Sequence, residues 1–279
     1  MHIALTLQHV TDRLQAVSDS ARLDGELLLC HVLGRPRTYL YTWPERDLSD
    51  TELQVLETLV ERRLGGEPIA HIIGKREFWS LELAVNADTL IPRPETELLV
   101  ETALARIPEQ ASWRIADLGT GSGAIALAIA SERPACRITA VERSDGALKV
   151  ARENARRLGL VNVELLQGDW FAPLSGQRFE MILSNPPYIP DSDPHLSQGD
   201  VRFEPLTALA AGADGLADIR QLVAGAPAHL QTPGWLLLEH GYDQAAAVAS
   251  LLGEAGYVDV EGVADLQGHG RVTIGRWAS

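Results

Sequence analysis

Cysteine is scarce in this sequence, and its scarcity argues against a fold held together by disulfides. Only two of the 279 residues are cysteines, Cys30 and Cys136, and they fall in different predicted elements. The chain therefore fits a reducing, cytoplasmic compartment. The eight histidines are scattered without the spacing that metal ligands require, so we predict no metal site.

Long apolar runs are also missing. No stretch stays apolar over the roughly 20 residues that a helix needs to cross a bilayer. The first residues, Met1 to Ala4, do not begin the basic and then apolar pattern of a secretion signal. We therefore expect no membrane contact. With 46% hydrophobic residues, the chain is long enough for one large globular domain and one small one.

Positive charge is in short supply. Lysine and arginine number 24 against 38 aspartate and glutamate residues, which gives a net charge of −14. Proteins that bind nucleic acid usually present a basic face to the phosphates. The local basic clusters, Arg62-Arg63 and Arg152 with Arg156-Arg157, are expected on solvated helix faces. The charge therefore argues against direct nucleic-acid binding and favours a basic protein surface as partner.

A glycine-rich loop between a strand and a helix is the first positive signal. Residues 114–118 predict a strand, Gly119-Thr120-Gly121-Ser122-Gly123 a loop, and the small apolar residues 124–130 a helix. This order begins a doubly wound nucleotide-binding sheet, because glycine lets the backbone of a helix N-terminus approach a ligand closely. A second strand ends in Glu142, about twenty residues past the loop, where a carboxylate can accept both ribose hydroxyls.

The loop alone does not distinguish a dinucleotide from S-adenosylmethionine. Asp117 favours S-adenosylmethionine, because a carboxylate just before the turn repels a pyrophosphate and attracts an ammonium or a sulfonium. A tetrapeptide further along the chain, residues 185–188, points the same way, since it has no role in hydride transfer.

This tetrapeptide, Asn185-Pro186-Pro187-Tyr188, directly follows an apolar run, residues 179–184, that predicts a buried strand. Proline fixes its own φ near −65° and holds the preceding residue in extended backbone. The side-chain carbonyl of Asn185 is therefore aimed, the backbone carbonyls of Asn185 and Pro186 stay unpaired, and Tyr188 adds a flat face. Such acceptors suit a planar –NH2 group with two N–H bonds to satisfy.

The first part of the chain, residues 1–75, predicts a small helical bundle. One helix is expected over residues 21–33, and another begins at a capping box formed by Ser49 and Glu52. The bundle is either a stability cap or a docking surface for a protein substrate, and the sequence leaves both interpretations open. The first helix is indicated by apolar residues that share one face, namely Ile3, Leu7, Val10, Leu14 and Val17.

Residues 76–95 predict a hairpin linker, and residues 96–279 a catalytic domain in which helices separate the early strands. A helix is expected over residues 95–107, and an antiparallel hairpin at one sheet edge, because a loop joins the last two strands. The irregular residues 189–215 are expected to form part of the substrate-binding wall. The seven predicted strands span residues 114–118, 137–142, 163–167, 179–184, 235–239, 257–262 and 271–276.

These features together resemble the class I, seven-stranded S-adenosylmethionine-dependent methyltransferases that act on planar nitrogen. Further segments, residues 67–74, 77–80, 91–97 and 199–205, are similar to the protein-(glutamine-N5) methyltransferases of peptide chain release factors, the PrmC/HemK family. The resemblance covers nearly the whole chain. It implies an α/β fold with a seven-stranded, doubly wound Rossmann-like methyltransferase sheet and a small N-terminal helical bundle. The family usually has Asp where this sequence has Glu142.

The resemblance also implies S-adenosylmethionine as cofactor and peptide chain release factors as protein substrates of a monomeric enzyme. Residues 119–123 would hold the methionine moiety with Asp117 near its ammonium, and Glu142 would hold the ribose. Asp169 and Trp170, after the third strand, would hold the adenine. Asn185 would lie where cofactor and substrate meet. Further pocket candidates, without individual roles, are Phe78, Arg93, Glu97, Arg202 and Glu204.

The chemistry expected at residues 185–188 follows from the weakness of an amide as a nucleophile, because its nitrogen lone pair is delocalised. No His, Lys or Cys adjoins the tetrapeptide to remove a proton. We therefore expect the side-chain oxygen of Asn185 and the carbonyl of Pro186 to accept both N–H bonds as positive charge develops on nitrogen. Pro187 and Tyr188 would complete the binding site for the glutamine side chain.

Three other functions stay open. An adenine-N6 methyltransferase acting on DNA or RNA also needs acceptors for a conjugated –NH2 group, but the acidic charge and the lack of a basic target-recognition domain count against it. A ribosomal-protein glutamine methyltransferase shares the tetrapeptide, and residues 92–97 favour the release-factor branch instead. A noncatalytic cofactor-binding or scaffolding protein is disfavoured by the intact motif.

Overall fold

The computed structural model describes residues 1–278. The chain separates into two compact units, Met1–Lys75 and Arg76–Ser279, and each holds one free cysteine. Across residues 1–278, no helix is both long and apolar enough to span a bilayer. The same residues contain no group of three or more side chains placed to hold a metal ion.

The smaller unit is a helical bundle with its own apolar core. Its first helix ends at Leu14, so the prediction that Val17 shares the buried face is wrong; the chain turns there and Val17 is exposed. The predicted capping box is confirmed, with Ser49 and Glu52 each accepting the other's backbone N–H. The helices are α1 (Ile3–Leu14), α2 (Ala21–Leu33), α3 (Arg37–Thr42), α4 (Asp50–Leu64) and α5 (Ile69–Ile73).

The larger unit opens with the hairpin expected from the sequence, formed by β1 (Lys75–Phe78) and β2 (Leu81–Ala84). The helix expected over residues 95–107 is shorter, because Pro94–Thr96 form a 3₁₀ turn and residues after 104 turn away. The helices of this unit are α6 (Glu97–Leu104), α7 (Ala124–Glu132), α8 (Asp145–Leu158), α9 (Ala217–Gly225) and α10 (Ala245–Glu254).

The predicted sheet of seven strands is confirmed within residues 114–277, in the order β5-β4-β3-β6-β7-β9-β8. Five strands are parallel, and β9 pairs antiparallel with both β7 and β8, as the edge-hairpin prediction requires. The strands are β3 (Arg114–Leu118), β4 (Arg137–Glu142), β5 (Val163–Gln167), β6 (Phe179–Ser184), β7 (Leu230–Glu239), β8 (Val258–Ala264) and β9 (Gly270–Trp277).

Strand β7 begins five residues before the predicted position at Trp235. Leu230 already pairs with Phe179, and the pairing becomes irregular before Trp235 resumes it opposite Met181. Pro233 lies in this irregular part, where its missing N–H is tolerated.

The sheet is covered on both faces because its strands alternate in the direction of their apolar side chains. Along β3, Ile115 belongs to one core cluster with α7, and Ala116 belongs to the other with α9 and α10. The strand order reverses at β3, which lies between β4 and β6. In doubly wound sheets, ligands bind beyond the carboxyl ends of the strands at this point.

Candidate active site

A cavity of about 280 Å³ opens at this reversal point. Four neighbouring strands contribute the residues at or just beyond their carboxyl ends. Seven of the predicted site residues line the cavity: Gly119, Gly121, Glu142, Asp169, Trp170, Asn185 and Pro187. The glycine loop and the segment Asn185–Tyr188, called the asparagine corner below, therefore line the same cavity although Gly119 and Asn185 are 66 residues apart along the chain. The two motifs must meet in this way if they serve one reaction.

The glycine loop presents backbone to the cavity. Gly119 has a φ of +75°, and a Cβ there would lie 3.2 Å from the Trp170 ring, so only glycine fits both the conformation and the neighbour. Gly123 packs against α7, where a Cβ would lie 2.9 Å from Leu127. Thr120, Ser122 and Gly123 do not line the cavity, and the first two are buried. Their predicted cofactor contacts stay predictions.

Asp117 lies beneath the loop and is fully buried. Its Oδ2 accepts hydrogen bonds from Thr120 Oγ1 at 2.5 Å and from the Ala126 N–H at 3.2 Å, so it fixes the turn at the start of α7. Its Oδ1 has no partner among the described residues. Burial raises the pKa of the Asp117 carboxyl to about 7. An unpaired, buried carboxylate oxygen is suited to a cation such as an ammonium group.

The raised pKa of Asp117 predicts how stability depends on pH. Between about pH 4 and pH 7 the folded protein holds one more proton at this group than the unfolded chain, whose aspartate has a pKa near 4. The free energy of unfolding should therefore fall as the pH rises from 6 to 8, by about 1 kcal/mol from this residue. Asp117→Asn should remove that part of the slope, measured by urea unfolding of the ligand-free protein at several pH values. The exposed Asp12→Asn is the matched control and should keep the wild-type slope. An equal slope in Asp117→Asn would contradict the assignment.

Glu142 ends β4 at the cavity wall. Its Oε2 accepts the Gly121 N–H at 2.9 Å, and its Oε1 accepts the Ser144 N–H at 2.8 Å. The carboxylate therefore joins the glycine loop to the start of α8 and still has free lone pairs toward the cavity. The role of Glu142 in ordering the glycine loop was not apparent from the sequence.

The segment after β5 lies beside Glu142, since the Gly168 N–H donates to the Glu142 carbonyl at 3.0 Å. Trp170 has a positive φ of 46°, a conformation that is costly for a bulky residue and recurs at binding sites. Its ring lies against Gly119, and Asp169 beside it lines the cavity. Asp218, at the start of α9, accepts a hydrogen bond from Trp170 and has a pKa raised by burial. Asp218 thus keeps the Trp170 ring in place.

Asn185 follows β6 directly and lines the cavity. Its Nδ2 donates to Thr96 Oγ1 at 3.1 Å, so the amide nitrogen is directed into the protein and leaves the carbonyl oxygen for a ligand. Within residues 1–278, no backbone N–H bonds to the carbonyl of Asn185 or Pro186. The corner is therefore rich in free acceptors, as the two prolines predict.

Tyr188 does not line the cavity, and neither does Pro186. The Tyr188 ring packs on the second core cluster, and burial raises the pKa of its hydroxyl. Its carbonyl accepts a hydrogen bond from Gln244 Nε2 at 3.0 Å, and a Cβ on Gly215 would lie 2.2 Å from that carbonyl. Tyr188 therefore anchors the corner to the core; its contact with substrate stays a prediction.

The motif residues without predicted roles are mostly supports. Glu204 accepts hydrogen bonds from Arg93 and from the Ile91 N–H, which ties residues 199–205 to residues 91–97. Glu97 accepts the Trp79 N–H at 2.9 Å, Phe78 is buried in the core, and Arg202 lies over the Phe203 ring.

The long loop after Tyr188 closes on itself. Its two ends are joined by backbone hydrogen bonds from Ile189 to Leu209, from Ala211 to Ile189 and from Asp191 to Gly212. Thr207 and Ala208, next to this closure, line the cavity. The prediction that residues 189–215 contribute to a binding wall agrees with this placement.

Sequence reasoning missed several lining residues. Pro205, Thr207 and Ala208 belong to the loop expected to form a binding wall, and Gly168 belongs to the segment expected to hold the adenine. The residues that were missed carry no motif and reach the cavity only through the fold; they are Asp88, Leu90, Val141, Arg143, Ser144, Ala147 and Asp218.

Comparisons with known proteins agree with this geometry. Residues 6–74 match the family model "PrmC N-terminal domain", and residues 94–199 match "Methyltransferase small domain". A methyltransferase from Pyrococcus furiosus shares the fold, with a TM-score of 0.55 and 19% identity over 78% of this chain and 98% of that one.

Two curated relatives carry the name release factor glutamine methyltransferase. The protein of Pseudomonas aeruginosa is 57% identical over 94% of each chain, and that of Escherichia coli K12 is 55% identical over 97% of each. Such identity over nearly the full length shows a common family. The chain belongs to the release factor glutamine methyltransferase family.

Proposed function

We propose that this protein transfers a methyl group from S-adenosylmethionine to the side-chain amide nitrogen of a glutamine in peptide chain release factors. The observation that carries the proposal is the position of Asn185, whose amide nitrogen bonds inward to Thr96 while the residue lines the same cavity as Gly119, Gly121 and Glu142. The names of the two curated relatives supply the substrate class.

The residues present suit S-adenosylmethionine. The unpaired Oδ1 of Asp117 suits its ammonium, Glu142 its ribose hydroxyls, and Asp169 and Trp170 its adenine. When bound, the cofactor supplies an activated methyl carbon on a sulfonium. The chain's own task is to orient the glutamine amide: Asn185 Oδ1 and the Pro186 carbonyl accept its N–H bonds and stabilise the positive charge that develops on nitrogen.

A single labelling experiment separates this function from the main alternative. The protein is incubated with methyl-labelled S-adenosylmethionine and either a release factor or DNA, and the labelled atom is located by mass spectrometry. We expect label on one glutamine of the release factor and none on adenine. Label on adenine alone would replace the proposal with an adenine-N6 methyltransferase, and label on a ribosomal protein alone would move it to that branch.

Three finer features belong to the same proposal. The protein acts without binding nucleic acid directly, which its net charge of −14 supports. We expect it to work as a monomer, as the resemblance to its family implies. It acts in the cytoplasm, where its two free thiols stay reduced.

A further inference from the structure

A buried glutamate lies directly behind the asparagine corner. Strands β6 and β7 run parallel, and Ser184 is paired with Leu238, so the residues that follow, Asn185 and Glu239, are neighbours at the carboxyl edge of the sheet. The Glu239 side chain is 2% exposed. The mechanism proposed above gives Glu239 no role.

The Glu239 carboxylate has fewer hydrogen-bond partners than it can accept. Its Oε2 has no hydrogen-bond partner among the described residues. The side chains of Thr96 and Asn185, which are bonded to each other, lie near enough to the carboxyl group to lower its pKa. The nearby charged or titratable groups are Arg271 on β9, Glu95 in the turn before α6 and the Tyr188 hydroxyl. The adjacent His240 ring is engaged with Thr273 and the Gly241 carbonyl.

We propose that Glu239 is a positioning residue, which as a carboxylate accepts an N–H of the Asn185 amide and so keeps Oδ1 of Asn185 turned toward the substrate. This inference rests on the proposed function and adds a residue to it. Glu239 itself does not line the cavity, so it acts through Asn185.

The need for such a residue follows from the hydroxyl of Thr96. A hydroxyl both donates and accepts, so Thr96 alone is compatible with either orientation of the Asn185 amide. An ionised carboxylate can only accept hydrogen bonds, so it can pair with the NH2 group of Asn185 and not with its carbonyl oxygen. The negative charge of the carboxylate also polarises the Asn185 amide, because the site has a low dielectric. The polarised Oδ1 is a stronger acceptor for the substrate N–H, whose nitrogen becomes more positive during the reaction.

The inference predicts a pH dependence. The pKa of Glu239 is raised to about 7, mainly by burial and also by Glu95, against the lowering effects of Thr96, Arg271 and Asn185. A protonated carboxyl donates a hydrogen bond and so stabilises the opposite orientation of Asn185. Turnover at saturating substrates should therefore decrease as the pH falls through about 7.

The test compares wild type with Glu239→Gln, measuring kcat, both KM values and the pH profile from 6 to 9 with a release factor as substrate. We expect Glu239→Gln to lower kcat about tenfold at pH 8, to change either KM less than about threefold, and to lose the decline below pH 7. Glu261→Gln, on the exposed part of β8, is the control and should match wild type. Equal kcat and pH profile in wild type and Glu239→Gln would overturn the inference.

Two other outcomes of this experiment also test the inference. If Glu239→Gln does not fold, the wild-type profile decides: a kcat that is flat from pH 6 to 9 overturns the inference, and a decline that Glu239→Asp retains supports it. If wild type methylates no glutamine at any pH, the proposed function fails and this inference with it. Wild-type methylation with an unaffected Glu239→Gln variant rejects only the role of Glu239.

Discussion

Asn185→Ala should lower kcat by roughly 10²–10³-fold and leave the affinity for S-adenosylmethionine nearly unchanged. The side-chain carbonyl is a fixed acceptor aimed at a nitrogen that becomes positive during the reaction, the counterpart of an oxyanion-hole donor, whose removal has an effect of this size. The other proposed cofactor contacts, at Gly119, Gly121 and Glu142, are untouched by the change. Steady-state kinetics with a release factor and calorimetry with S-adenosylmethionine together measure both quantities.

A second asparagine provides the control for this variant. Asn162 lies beyond the opposite ends of the strands, where its Nδ2 bonds to the carbonyls of Ala130 and Cys136. Asn162→Ala should reduce stability while kcat stays at the wild-type value. Near-normal turnover in Asn185→Ala, with cofactor affinity retained, would refute the role of the asparagine corner.

Glu142→Gln should weaken S-adenosylmethionine binding about 100-fold. Both carboxylate oxygens accept backbone N–H bonds, from Gly121 and Ser144, and an amide can accept at only one of them. The other N–H then faces an NH2 group, so the loop shifts and one acceptor for the ribose is lost. Hydrogen bonds to a charged group are worth about 1.5–3 kcal/mol each, and about 2.7 kcal/mol corresponds to a 100-fold change in Kd.

Calorimetry measures this effect directly, without the protein substrate. Glu164→Gln, on the neighbouring strand β5 and outside the cavity, should bind S-adenosylmethionine as wild type does. A Kd for Glu142→Gln within about threefold of wild type would show that Glu142 neither holds the ribose nor orders the loop.

Local sequence patterns predicted the parts of this protein that depend on local physics. The glycine loop, the capping box at Ser49 and the proline-held Asn185 each follow from backbone restrictions of a few adjacent residues. The strands β3, β4, β5 and β6 were predicted with the boundaries found in the structure. The early end of α1 and the early start of β7 were missed, because packing and strand pairing decided them.

The surroundings of the site could not be predicted in the same way. Glu239 is only the last residue of an apolar run in the sequence, and it becomes a neighbour of Asn185 because β7 pairs with β6. Thr96 reaches Asn185 from 89 residues away. The packing of the Tyr188 ring against the second core cluster was likewise not apparent from the motif, and its contact with substrate stays a prediction.

The backbone hydrogen bonds at the base of the loop after Tyr188 allow the rest of the loop to vary while Asn185 stays in place. Because Ile189 bonds to both Leu209 and Ala211, a change in the number of residues between Ile189 and Leu209 alters the far end of the loop without pulling on Asn185. Relatives can therefore exchange that far end for one that fits a different protein surface, while the geometry of methyl transfer is inherited intact.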